Sequence, residues 1–108
     1  MGSTNLLQYL NSIFHYTTYG NGAEMLIAFH GFSESGRSFA PLKSVLSTRY
    51  TMYAFDLPFH GATQWKENRP FTTADLESLI IQFTQHQGFE KFAVLGFSMG
   101  GKCVLHLA

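Results

Sequence analysis

The run Gly96-Phe97-Ser98-Met99-Gly100-Gly101, entered from the apolar stretch Phe92-Ala93-Val94-Leu95, constrains this chain more than any other feature. The apolar stretch reads as a buried strand, and glycines on both sides of a serine let the backbone turn sharply from that strand into a helix. Such a turn holds Ser98 in a strained conformation that side chains on its neighbours would obstruct, and Gly96 and Gly100 remove the obstruction. The hydroxyl is lifted to the sheet edge, at a helix N-terminus whose unpaired amides and positive dipole end favour a developing oxyanion. A serine presented in this way suits acyl transfer.

Two upstream segments are built alike. Met25-Leu26-Ile27-Ala28-Phe29-His30-Gly31-Phe32 is an apolar run that breaks at His-Gly and passes into the polar Ser33-Glu34-Ser35-Gly36. Strand, loop and helix in that order can supply a second oxyanion amide. Tyr50-Thr51-Met52-Tyr53-Ala54-Phe55-Asp56-Leu57-Pro58-Phe59-His60-Gly61 is again an apolar run closed by turn-forming residues. In this order the three blocks resemble the α/β-hydrolase family, in the small-molecule branch that includes esterases, C–C bond hydrolases and cofactor-free haloperoxidases.

The resemblance covers residues 12 to 108 and implies a role for each matching position. Ser98 would be the nucleophile, and the backbone N–H groups of Phe32 and Met99 the oxyanion hole; no cofactor or metal is implied. Asp56 and His60 match a structural turn, in which side-chain hydrogen bonds brace a loop. Phe59 stands where the family commonly has glycine, and Ala62-Thr63 where a small residue and serine are frequent. The stretch His30 to Ser35 is also similar to epoxide hydrolases and dehalogenases. Those relatives use aspartate as nucleophile, and Ser98 argues against them.

The family orders its triad along the chain as nucleophile, acid, histidine. The residues after Ser98 include no acid, and His106 lies in the same predicted helix, about 12 Å along its axis, against the roughly 3 Å needed for proton transfer. His30 belongs to the oxyanion loop, His15 to an early strand and His86 to a helix end, so packing roles are expected for them. The segment Lys102 to Ala108 stops in an apolar helical pattern without a glycine cap. The expectation is therefore a single unit, residues 1–108, forming the N-terminal portion of an α/β-hydrolase domain roughly twice as long, with the acid and histidine elsewhere. Such a portion is expected to lack esterase turnover by itself, and to self-associate or pair with a complementary C-terminal portion through its uncovered edge.

Composition fits a piece of a globular enzyme, at 45% hydrophobic, 16% aromatic and 13% charged residues. Seven basic and seven acidic side chains cancel and form no runs, which removes the electrostatic footprint of a nucleic-acid or anionic-membrane binder and favours a small neutral substrate. The single cysteine, Cys103, allows no internal disulfide and is expected to be a small packing residue. No targeting pattern or membrane-spanning run is present in the sequence, and a cytoplasmic protein is expected.

An α/β fold follows, with a mostly parallel sheet and helices on both faces. Ile13 to Tyr19, turning at Gly20-Asn21-Gly22 into Glu24 to Phe29, is predicted as an antiparallel hairpin. A first helix is predicted over Ser38 to Thr48, with Phe39, Leu42, Val45 and Leu46 as its apolar stripe and Pro41 in its first turn. A second begins at Thr72 as N-cap with Asp75 completing a capping box, carries Leu76, Leu79, Ile80 and Phe83 on one face, and ends at Gly88. Phe32, Asp56 and Ser98 all fall at strand C-termini, where doubly covered sheets place their sites.

Three functions remain open on these residues. The first is a serine hydrolase of a small ester, thioester or related carbonyl compound; the second is an acyltransferase on the same fold, with an alcohol or thiol replacing water. The third is an inert fragment acting as an interaction module. An acid and histidine in a complementary chain would separate the first two from the third, and products formed with competing acceptors would separate the first two from each other.

Overall fold

The computed structural model describes residues 3–30, 35–36, 49–59, 61–89 and 91–96. Five strands form one sheet: β1 (Ser3–Tyr9), β2 (Ser12–Tyr19), β3 (Glu24–Phe29), β4 (Tyr50–Phe55) and β5 (Ala93–Gly96), in the order β1-β2-β4-β3-β5. One described helix, α1 (Thr73–Gln87), precedes β5. β3 pairs in parallel with both β4 and β5, β2 is antiparallel to β4, and β1 is antiparallel to β2. Four strands thus point one way and β2 alone runs against them.

This order corrects the expected hairpin. β2 and β3 are both strands, close to the predicted bounds, but β4 lies between them. The Gly20-Asn21-Gly22 segment reverses the chain past the start of β4, so β2 and β3 run in opposite directions without pairing. Gly22 donates its N–H to the Tyr50 carbonyl at 3.2 Å and accepts from the Thr51 hydroxyl at 2.7 Å. A Cβ at Gly22 would lie 2.1 Å from the Arg49 carbonyl carbon, so glycine serves close approach of two backbones here, not a tight reversal. The hairpin that does form joins β1 to β2 through Leu10-Asn11, with Leu10 at φ 54. β1 carries only a mixed alternation, Asn5, Leu7 and Tyr9 turned inward and Thr4, Leu6 and Gln8 exposed, which is why its pattern is weak.

Both sheet faces are buried. On one lie Phe14, Tyr16, Met25, Ile27, Phe29 and Phe55, packed against Leu76, Leu79, Ile80 and Phe83 of α1. Phe83, fully buried, meets the rings of Tyr16, Tyr53 and Phe55 edge-on at centroid distances of 5.1, 5.2 and 5.0 Å, the arrangement that ring quadrupoles favour. Tyr19, Leu26, Ala28, Met52 and Ala54 are buried on the opposite face, as a parallel sheet covered on both sides requires. The helix predicted over residues 38–48 and the one following the Ser98 turn lie outside the described residues.

The ends of α1 follow the sequence signals. Thr72 caps it, its hydroxyl accepting from the Asp75 N–H at 3.2 Å while Asp75 accepts the Thr72 N–H at 2.9 Å. Gly88, at φ 79, closes it with the Phe89 N–H bonded to the Thr84 carbonyl. Asp75 also accepts two bonds from Arg69, at 2.5 and 2.8 Å, and one from the Tyr9 hydroxyl at 2.7 Å. The helix start is thereby fastened to the end of β1. Arg69 and these donors hold the Asp75 carboxyl well below the usual carboxylate range.

Candidate active site

The parallel register sets Phe29 opposite Phe55 on one side and opposite Gly96 on the other. Three strands therefore end in one row, and the segments leading to residues 32, 56 and 98 leave the sheet at the same edge. Adjacent strands lie about 4.8 Å apart, so β4 and β5 are separated by about 10 Å across β3. Ser98, Phe32 and Met99 themselves lie outside the described residues, as do His60, Cys103 and His106.

Among the groups that are described, Asp56 organises the edge. It is 5% exposed, and its Oδ1 accepts the Gly36 N–H at 2.7 Å while Oδ2 accepts the Ala62 N–H at 2.9 Å. Its backbone is held too, the N–H donating to the His15 carbonyl at 2.8 Å and the carbonyl accepting from the Thr63 hydroxyl at 2.6 Å. The Thr63 oxygen in turn accepts the His15 N–H at 2.9 Å. One carboxylate thus joins the segment after β3 to the loop after β4. The brace reading of Asp56 agrees with these bonds, since both carboxylate oxygens are occupied by backbone donors.

Two glycines make this possible, and the sequence singles out neither of them as site-forming. Gly61 lies against the carboxylate at φ 54, where an added Cβ would stand 2.1 Å from Asp56 Oδ2. At Gly36 an added Cβ would meet the Ala54 carbonyl oxygen at 2.3 Å. The one available signal is an aspartate followed five residues later by glycine in a loop, which does not reveal how closely the two approach.

The histidines take structural places. His30 is fully buried, and its Nε2 accepts the Leu57 N–H at 2.8 Å, linking the ends of β3 and β4. His15 sits on β2 with Nδ1 3.8 Å from Asp56 Oδ2, three strand positions from β5, and His86 is exposed in the last turn of α1. His15 and His86 lie away from the end of β5, and the His30 Nε2 is taken up by the Leu57 N–H. Among the described residues, no group of three or more His, Cys, Asp or Glu side chains is gathered to hold a metal ion. No described helix is long and apolar enough to cross a membrane.

A sheet buried on both faces with parallel strands β4-β3-β5 ending in one row, and a Gly-x-Ser-x-Gly sequence that begins at Gly96, the last residue of β5, define a class that sequence comparison also identifies. The chain belongs to the alpha/beta hydrolase fold family, whose pattern is matched across residues 24–108. It is 32% identical over 95 residues to the uncharacterized hydrolase YugF of Bacillus subtilis, covering 87% of this chain and 35% of that protein. It is 31% identical over 94 residues to the pimeloyl-[acyl-carrier protein] methyl ester esterase of Legionella pneumophila, again covering 87% and 35%. The solved structure of the epoxide hydrolase CorEH superposes with a TM-score of 0.87 at 22% identity, over all of this chain and 38% of that one, a likeness of fold. The chain spans about a third of the length of these curated relatives.

Proposed function

We propose that the protein carrying this chain is a serine hydrolase that cleaves a small ester, thioester or related carbonyl substrate through an acyl-enzyme on Ser98. The observation that supports the reading is the common row of Phe29, Phe55 and Gly96, the strand ends that precede Phe32, Asp56 and Ser98 in the sequence. Ser98 Oγ attacks the carbonyl carbon as its proton passes to a histidine outside these residues, and the backbone N–H groups of Phe32 and Met99 receive the oxyanion. The alcohol or thiol leaves with that proton, and water then releases the acid and restores the serine. The esterase and hydrolase relatives support acyl chemistry over the inert-module alternative.

The catalytic acid and histidine lie in sequence beyond this chain on this reading, so residues 1–108 alone turn over no p-nitrophenyl acetate. The test of the function is covalent labelling of the full-length protein with a fluorophosphonate probe. One equivalent attached at Ser98, and none in Ser98→Ala, supports the assignment; labelling that survives Ser98→Ala refutes it.

A further inference from the structure

Phe59 combines a backbone conformation rare for a bulky residue with an aromatic ring exposed in this chain. Its φ is 68, in the left-handed region where a bulky side chain crowds the following carbonyl, and its side chain is 81% exposed. Leu10 shares the positive φ, but it forms the two-residue turn between β1 and β2, four strand positions from β5. Phe59 lies on the loop leaving β4, two positions from β5, at the edge where β3 and β5 also end.

The loop backbone has little freedom to relieve the strain. Before Phe59 it is pinned by Leu57 N–H to His30 and by the Asp56 carboxylate to Gly36; after it, by Ala62 N–H to Asp56 and by the Thr63 hydroxyl to the Asp56 carbonyl. A tightly closed loop that displays an apolar ring at a site edge, in a conformation glycine would adopt without cost, points to use of the ring.

We propose that Phe59 determines the chain-length preference of the hydrolase, its ring forming an apolar wall for the hydrocarbon arm of the substrate. This deepens the Ser98 reading and rests on it. The separation of about 10 Å between β4 and β5 sets the ligand class. An acetyl group is shorter than that separation, whereas an octanoyl chain is long enough to cover it and to shield an apolar ring from water.

The experiment compares kcat/KM for p-nitrophenyl octanoate and p-nitrophenyl acetate in the full-length protein and in Phe59→Ala, Phe59→Leu and Phe59→Gly, with fluorophosphonate labelling of Ser98 and thermal melting run in parallel. The octanoate-to-acetate ratio falls about tenfold in Phe59→Ala and Phe59→Gly, the size expected for lost apolar contact in a pocket, and less in Phe59→Leu. Phe59→Gly melts no lower than the parent, so its altered ratio does not come from unfolding. An unchanged ratio, or equal losses on both esters, overturns the proposal. A Phe59-dependent ratio without Ser98 labelling refutes the nucleophile assignment and upholds Phe59, and absence of all ester turnover overturns both.

Discussion

The Nε2 of His30 accepts the amide hydrogen of Leu57 at 2.8 Å, tying the residue after β3 to the loop after β4. An accepting Nε2 carries no proton, so the imidazole holds its hydrogen on Nδ1 and its basic lone pair is engaged. The histidine of the His-Gly break is a buried linker. Replacing it with alanine leaves the Leu57 N–H without that acceptor, and His30→Ala should lose about 1–3 kcal/mol of stability. Urea unfolding measures this, and a midpoint equal to that of the parent would contradict the linker role.

Glycine at 61 and glycine at 88 have similar backbones and different surroundings. Gly61, at φ 54, lies against Asp56, whereas a Cβ added at Gly88, at φ 79, would meet nothing within 4 Å. Alanine at either position meets the left-handed cost of about 1–2 kcal/mol. Only Gly61→Ala also drives a methyl into the Asp56 carboxylate, so it should be the more destabilising of the two by at least about 1 kcal/mol. Paired thermal melts decide it; equal losses would mean that the loop yields freely.

Asp75 makes stability depend on acid. Its folded carboxyl is held below the ordinary value of 3.8 by Arg69, the Thr72 donors and Tyr9. A depressed folded value means that the contribution is fully present above the unfolded value and fades as pH falls toward the folded one. Asp75→Asn should therefore cost about 2 kcal/mol at neutral pH, with the gap to the parent narrowing below about pH 4. Chemical denaturation across pH 7 to 2 tests the sign, and a gap that widens in acid would refute it.

Ser98 acts through its side chain on the proposed mechanism, while Phe32 acts through its backbone. Ser98→Ala in the full-length protein should lower kcat by a factor on the order of 10³ or more, and Phe32→Leu should keep most of it. Steady-state kinetics with a p-nitrophenyl ester separates the two. Equal, near-complete losses in folded variants would count against that division of roles.

Helix α1 is legible in the sequence because its information is local. Leu76, Leu79, Ile80 and Phe83 repeat at the helical period, Thr72 and Asp75 cap each other across one turn, and Gly88 supplies the left-handed exit. The strands at Glu24–Phe29 and Tyr50–Phe55 are legible for the same reason, as apolar runs ended by turn residues. The family follows from three short motifs in order.

What the tertiary structure decided is which strands become neighbours and what their ends bring together. Pairing of β2 with β4 in place of β3 is a contact between Tyr16–Tyr19 and Met52–Phe55, distant in sequence, and no local pattern encodes it. The same holds for Gly22 against Tyr50, for Asp56 between Gly36 and Ala62, and for His30 on Leu57. Residue type and spacing determined β2 to β5, α1 and the Gly-x-Ser-x-Gly motif, because short-range sterics and periodicity act within a few residues. The row of strand ends and the strained, exposed Phe59 were set by packing and hydrogen bonds between segments the sequence keeps far apart.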